Sequence, residues 1–590
     1  MKILQINNCD LPGRFFNGHD LQLSLNAVGI EAHQMVMEKM GDENTTEPIC
    51  SPNELYVNSQ LRNLEKRLGM SNLLEPFSER IIESKYFQEA DIVHYHLIHN
   101  NILSLLDIKR IFELKQSVLT VHDPWIVGGH CIHPLQCEKW KTGCHDCEHL
   151  KWPFEMDCDK SKDIWEIKKT CFSDVECDIV VASDWMKNYI QSSPITCHFK
   201  RIHKIPFGLD IEKYKKISKE MARERLGICE EEQVIAFRAE DHIVKGLSYI
   251  VEALELMEQR KNITILTVGT AILPELIKKR YRVIEKGWQD EDGVRLCLAA
   301  ADIFLMTSLG ESFGLMTIEA MASKCAVIVF KDTVLEQVSY APECGIAVEC
   351  KSSKAIKHEI EHLLKHKEEL QFRGELGREI VEKHYKYSDY LNKHIELYTD
   401  LIDRNQGVEK KYWCDYGIEQ ERNKLQAMEK MECIRQFKRQ IGKLSDFKAQ
   451  KVCIFCAGIY GTRAYYELKE RLVEIAYIVD NNPQKWGAWL DGLECMGMDK
   501  LKLEKDNVLV IVCNKNSGPI IEELRSQNFP YIISNKELDE MLIDVPRICD
   551  IRNMDSIEQL DYSSEGVKAL ISCFNRTVSD ICKYYESKLQ

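Results

Sequence analysis

Two glutamates, Glu311 and Glu319, stand with seven residues between them in the run Ser308-Leu-Gly-Glu-Ser-Phe-Gly-Leu-Met-Thr-Ile-Glu319. The run reads as a loop followed by an amphipathic helix. A helix opening there turns its free N–H groups and positive end toward whatever precedes it, which is a seat for an anion. With a rise of about 1.5 Å per residue, the two carboxylates sit roughly 10 Å apart along the axis. That span suits one carboxylate on the hydroxyls of a sugar and the other on those of a ribose, with a diphosphate between. The cations for such a diphosphate stand upstream, in Arg238-Ala-Glu-Asp-His-Ile-Val-Lys245-Gly246. Arginine offers a planar fork and lysine a point charge, and Gly246 lets a helix begin close by. Together they can neutralise a leaving group without a divalent metal.

Other residues could do chemistry elsewhere. Val121-His122-Asp123 ends a candidate strand, where a histidine is either a functional group or a satisfied structural one. Ser183, in Val-Ala-Ser-Asp-Trp, reads as a helix cap. Residues 129–149 hold Cys131, Cys137, Cys144 and Cys147, and the closing Cys-x2-Cys is a good zinc pair. A structural zinc, disulfide or redox pairing, and plain buried thiols are all open for this loop. Further on, Cys456-Ala-Gly458-Ile-Tyr-Gly461 follows a strand, and Asp480 ends the next one. That is the pattern of a nucleotide-binding turn with its ribose acid, except that Cys456 replaces the first glycine. Nucleotide binding and a structural or docking role are both open for this module.

The elements that must position these residues are short β-branched runs alternating with helical patterns, which marks βαβ units on parallel sheets. Strands are expected at Lys2–Asn7, Ile92–Tyr95, Ser117–His122, Ile179–Ser183 and Ile202–Ile205, then at Val234–Phe237, Ile263–Val268, Ile303–Met306 and Ala326–Phe330. The pattern breaks near Pro206-Phe207-Gly208. The expected fold class is therefore α/β, with two facing Rossmann-like domains at 1–205 and 206–404. The first would take the acceptor and the second the donor, with a helix over 387–403 packing back toward the first. A helical linker follows at 405–446, then a third small Rossmann-like module at 447–535 and a helical tail at 536–590.

The chain has 590 residues, too many for one core. A net charge of −15 argues against nucleic acid as a partner, because a phosphate backbone needs a concentrated basic surface. Its composition, 44% hydrophobic and 29% charged, is that of a soluble globular protein, and no run approaches the length of a membrane span. A cytoplasmic location is expected, with peripheral contact at the inner face of the membrane left open. Most of the 24 cysteines would then be buried thiols or metal ligands.

Taken together, Glu311-x7-Glu319, Arg238…Lys245-Gly246, Gly208-Leu-Asp210 and Val121-His122-Asp123 make residues 1–404 resemble the family-4 retaining glycosyltransferases of the GT-B fold. The resemblance implies that Glu311 holds the transferred sugar and Glu319 the nucleotide ribose. Arg238 and Lys245 would stabilise the diphosphate, helped by Gly246 and by amides around Ser312, Phe313, Gly314 and Leu315. His122 would lie by the sugar and acceptor, and Gly13 would be the close-approach glycine of the first loop. The Arg238–Lys245 spacing is two longer than the commonest form, and Gly13 follows Pro12 where the family has a glycine pair. The implied partners are a nucleotide-diphosphate sugar and a saccharide or lipid-linked saccharide acceptor, with no cofactor required for catalysis. The cysteine loop is similar to one in transferases of bacterial capsule and exopolysaccharide synthesis. Two alternatives are a GT-B-fold nucleotide-sugar epimerase or phosphorylase, and a non-catalytic sugar-nucleotide-binding scaffold.

Overall fold

The computed structural model describes residues 1–404 and 451–542, apart from residue 12, scattered positions within 51–79, and residues 100–101, 106, 152–153, 174, 259–261, 470–474 and 489–491. The expected linker over 405–446 and most of the expected helical tail lie outside the described residues.

Three sheets account for the strands. The first contains β1 (Lys2–Cys9), β2 (Glu31–Glu38), β3 (Thr46–Pro48), β4 (Ile92–Tyr95), β5 (Gln116–Thr120), β6 (Asp178–Val181) and β7 (Ile202–Lys204), in the order β3-β2-β1-β4-β5-β6-β7. The second contains β8 (Gln233–Arg238), β9 (Ile263–Val268), β10 (Arg282–Glu285), β11 (Ile303–Met306), β12 (Ala326–Phe330) and β13 (Ile346–Val348), in the order β10-β9-β8-β11-β12-β13. Both are wholly parallel. The third sheet orders β14 (Lys451–Phe455), β15 (Ile475–Val479), β16 (Gly487–Ala488), β17 (Glu494–Met496), β18 (Val508–Val512) and β19 (Ile532–Ser534) as β16-β17-β15-β14-β18-β19. Only β16 runs antiparallel. This is the expected α/β class with its third small Rossmann-like module.

Central strands such as β4, β11 and β12 are buried along their whole length, because helices cover both faces of a parallel sheet. Sequence reading finds such strands and misses others. β2 hides Gln34 by tying its side chain to the Asn17 carbonyl and to the His19 ring, so it carries a polar residue where a core strand shows an apolar one. β10 is a short edge strand with charged ends.

Each order reverses beside its first strand, at β1/β4, β8/β11 and β14/β18. Ligands of open α/β sheets lie outside the carboxyl ends of the strands at such points. The junction between the first two units is pinned rather than loose. The Leu209 N–H donates to the Tyr385 carbonyl, and the Tyr387 N–H returns a bond to the Leu209 carbonyl. From there the helix Tyr387–Arg404 crosses onto the first sheet, burying Tyr390, His394, Leu397, Tyr398 and Leu401 at helical spacing. Its last residue closes on that sheet: Arg404, with Arg201 and His203, surrounds the fully buried Asp178 carboxylate.

Gly208 is required by this crossing, since a Cβ there would strike the Lys386 carbonyl oxygen and the Tyr387 backbone. Backbone cannot swing aside as a side chain can. Gly208→Ala should therefore destabilise the protein by about 1–3 kcal/mol. Urea denaturation monitored by circular dichroism measures the effect, and an unchanged midpoint would contradict the pinned crossing.

Candidate active site

The carboxyl ends of β8 and β11 are neighbours because the two strands pair directly. From β8 the chain passes through a short turn, Ile243–Lys245, whose first N–H groups are held by the side chain and carbonyl of His242. Gly246 then takes a left-handed conformation (φ +69°) and presses on the Thr307 carbonyl, leaving no room for a Cβ. From β11 the loop 307–314 leads into the helix Leu315–Ala322, entered through a left-handed Gly314 (φ +91°). The two loops meet in an ion pair: Lys245 Nζ donates to Glu311 Oε1 at 2.6 Å.

That pair lies in a cavity of about 360 Å³ between the two halves. Of the residues singled out in the sequence, His122, Arg238, Lys245, Glu311, Ser312, Phe313, Gly314 and Leu315 line it. Burial pushes the Glu311 carboxyl up, but the Lys245 ammonium outweighs this and holds it below the ordinary glutamate range. Arg238 stands at the exit of β8 and faces Glu240 at 3.3 Å.

Three expected residues sit otherwise. Gly13 does not line the cavity; it takes φ +72° and backs onto Phe16, whose ring does line it. The left-handed turn at Gly13 brings the Phe16 and Asn17 N–H groups onto the Gly13 carbonyl, so the aromatic ring rather than the glycine meets the cleft. Gly246 serves through its backbone shape and is also absent from the lining. Glu319 lies one helical turn behind and accepts a 3.1 Å bond from the hydroxyl of Tyr214. Burial, with Glu291 nearby, raises its carboxyl above the usual range despite that bond.

Across the cleft, the His122 ring lies parallel to Phe207 with centroids 6.0 Å apart and tilts against Phe16 at 5.4 Å. Burial pulls its imidazole down to about 3, so the ring is neutral near pH 7. Asp123, which sequence reading passed over as part of a motif, also lines the cavity. Its carboxylate meets the His99 ring at 3.1 Å and accepts the Trp125 N–H at 3.0 Å. Lys168 was missed as well. Fully buried, it donates to the carbonyls of Trp125 and Gly128 and lies 3.5 Å from the centre of the Trp125 ring, fixing the turn after Asp123. Burial lowers its ammonium to about 7. Residues buried for position leave only a weak trace in sequence, and a lysine on an apolar helix face was the trace here.

Ser183 does cap its helix, accepting the Met186 N–H, and it also donates to the Ser312 carbonyl at 2.8 Å. One hydroxyl thereby joins the two halves beside Glu311.

The cysteine loop reaches the site through Ile132 and His133, whose ring packs against Gly310. Its four thiols differ in burial. Cys131 and Cys144 are buried, Cys137 and Cys147 half-buried, and all four are free. Among the described residues no group of three or more His, Cys, Asp or Glu side chains is placed to hold a metal ion. The Cys144 sulfur takes up the Gly129 N–H, and burial pushes the Cys131 thiol up to about 12 and the Cys147 thiol to about 11.

In the third module Cys456 adopts φ +84°, a conformation that favours glycine. Asp480 accepts N–H bonds from Ala457 and Asn482 and an ion pair from Lys485, so its carboxylate ties the turn down. No helix among the described residues is long and apolar enough to cross a membrane.

Comparison with known proteins meets this geometry at the second sheet. Residues 218–380 match the family of glycosyl transferases, group 1. The matched stretch contains Arg238, Lys245, Glu311 and Glu319. D-inositol 3-phosphate glycosyltransferase of Segniliparus rotundus is 29% identical over 225 residues, which is 34% of this chain and 49% of that protein. Alpha-monoglucosyldiacylglycerol synthase of Acholeplasma laidlawii is 30% identical over 216 residues, 34% of this chain and 53% of that one. The chain thus spans about half the length of these curated relatives. Among solved structures, sucrose-phosphate synthase of Thermosynechococcus elongatus superposes with a TM-score of 0.52 at 17% identity, covering 69% of this chain and all of that one. That likeness is one of fold, and the fold is GT-B.

The Lys245–Glu311 pair has a testable thermodynamic signature. Glu311 has a depressed carboxyl, so its contribution to stability is present above the ordinary value of about 4.3 and disappears as pH falls through the depressed one. Lys245→Met removes the largest influence opposing burial at Glu311, so its carboxyl should rise. The variant should lose about 1–3 kcal/mol at pH 7, with the gap closing below about pH 4. Melting temperatures from about pH 3 to pH 8 measure this, and a gap independent of pH would refute the coupling.

Proposed function

We propose that the chain is a retaining glycosyltransferase that moves a sugar from a nucleotide-diphosphate donor to an acceptor hydroxyl. The observation that carries the reading is the Lys245–Glu311 pair at the mouth of the helix Leu315–Ala322, in a cleft whose far wall holds His122 and Asp123. The match of residues 218–380 to the group 1 family supports it.

In this reading the diphosphate lies at the N-terminal turn of that helix, between Lys245 and Arg238. These cations and the helix end stabilise the charge that grows on the leaving group. They supply what a metal supplies elsewhere, which is why we propose a metal-independent reaction. Glu311 faces the sugar as positive charge develops on it, and Glu319 holds the ribose once Tyr214 gives way or shares the carboxylate. The bond from the anomeric carbon to phosphate oxygen breaks, its electron pair leaving with the nucleoside diphosphate. The acceptor oxygen bonds to the same face and passes its proton to a phosphate oxygen. Closure of the two halves keeps water from competing.

The acceptor is a saccharide or lipid-linked saccharide in this proposal. Surface polysaccharide synthesis is the setting favoured by the cysteine loop, at the cytoplasmic side of the membrane. Both relatives described above are named for glycosyl transfer or glycolipid synthesis.

The division between the two glutamates tests the reading. A ribose contact is equal in ground and transition states, so Glu319→Gln should mainly raise the Michaelis constant for the donor. Glu311→Gln should lower turnover, by roughly 10²- to 10³-fold, the loss seen for one well-placed electrostatic group. Steady-state kinetics with the donor found by nucleotide-sugar screening provide both numbers. Near-normal turnover in Glu311→Gln would overturn the assignment.

A further inference from the structure

His122 is one end of a buried chain of hydrogen bonds. Its Nε2 lies 3.0 Å from Nδ1 of His96, and His96 Nε2 lies 2.8 Å from Oε1 of Gln5. The Gln5 amide nitrogen is 3.2 Å from the Tyr398 hydroxyl, which is 2.6 Å from Nδ1 of His94. His94 Nε2 ends the chain 2.7 Å from the Thr120 hydroxyl. Gln5, His94, His96 and Tyr398 are all fully buried. Gly18 closes over the middle, where a Cβ would stand 2.6 Å from His96 Nε2 and 3.0 Å from Gln5 Oε1.

The amide sets the direction of the bonds toward His122, and the need to pair the buried Tyr398 hydrogen sets the rest. An amide oxygen only accepts, so His96 must carry its hydrogen on Nε2. A neutral imidazole has one N–H, which leaves His96 Nδ1 bare and makes His122 Nε2 the donor. On the other side the Gln5 N–H donates to Tyr398, whose own hydrogen passes to His94 Nδ1, and the His94 Nε2–H donates to Thr120. Five bonds thus run the same way. Burial holds all three rings neutral, pulling His94 and His96 well below the ordinary histidine value.

We propose that Tyr398, on the helix returning from the second half, acts with Gln5 and His96 as positioning residues that fix His122 as its Nε2–H tautomer. Nδ1 is then the ring's only acceptor for a substrate hydroxyl. Turning the Gln5 amide over would reverse every bond and convert His122 from an acceptor into a donor at the cleft. The inference rests on reading His122 as a substrate-facing group in sugar transfer. The donor half therefore governs the acceptor half through a hydroxyl that touches neither substrate.

The test is a nitrogen-15 spectrum of the full chain labelled at histidine, with His122 assigned by its loss in His122→Gln. Wild type should show a pyrrole-type Nε2 and a pyridine-type Nδ1 for His122. Tyr398→Phe removes the anchor of the amide, and the His122 signals should shift toward the other tautomer. Turnover should fall about three- to tenfold, the scale of one neutral hydrogen bond, with the donor Michaelis constant unchanged. Should Tyr398→Phe unfold, Gln5→Leu cuts the same chain one link nearer. A wild-type His122 protonated on Nδ1 overturns the proposal, as does a variant whose folded spectrum keeps the wild-type tautomer. Absence of any transferase activity strikes the proposed function alone, since the spectrum needs no turnover.

Discussion

The ion pair between Lys245 and Glu311 exists because β8 and β11, far apart in the chain, lie side by side in the sheet. Strand order reverses there, so the loops leaving the two strands open toward the same space with no helix between them. One loop brings a cation and the other an anion together with a helix N-terminus. Everything else in the cleft is arranged around that meeting. Gly246 gives up its side chain so that the first loop can press on the second, and Ser183 reaches over from the other half to hold the Ser312 carbonyl. A sheet with the same strands in another order would keep each local motif and lose the site.

Local chemistry was legible in the sequence to the extent that it is carried by spacing. Gly-Glu-x-Phe-Gly before an apolar helix, and Arg238…Lys245-Gly246 after a strand, are short-range patterns, and the structure brings Arg238, Lys245, Glu311, Phe313 and Gly314 to one cavity. Strands buried on both faces were legible for the same reason. β2 was not, because its buried glutamine is balanced by His19 and Asn17, which no periodicity reveals. Lys168, Tyr214 and Tyr398 were missed alike: each acts by touching a residue more than forty positions away, and a single sequence carries no record of such pairs. Ligand spacing along the chain, as in the four loop cysteines, does not by itself set ligand geometry in space.

The interior of the first half is unusual in its polarity. Gln5, His94, His96 and Tyr398 occupy ground that hydrophobic residues fill in most cores, and burying such groups is tolerable only when each finds its partner. An apolar core tolerates small shifts. A chain of directed hydrogen bonds does not, because one missing link leaves a desolvated donor or acceptor at its neighbour. The crossing helix is held by these bonds as well as by its apolar face.

Ser183 bears on the energetics of opening. Its hydroxyl caps a helix in one half and donates to a carbonyl in the other, so the seam beside Glu311 is closed by a neutral bond rather than by an ion pair. Such a bond nets about 1 kcal/mol, less than twice the thermal energy. The seam therefore adds little to the work of parting the halves, and when they part the hydroxyl keeps its capping role. A clasp of this kind can be undone many times each second without putting the helix behind it at risk.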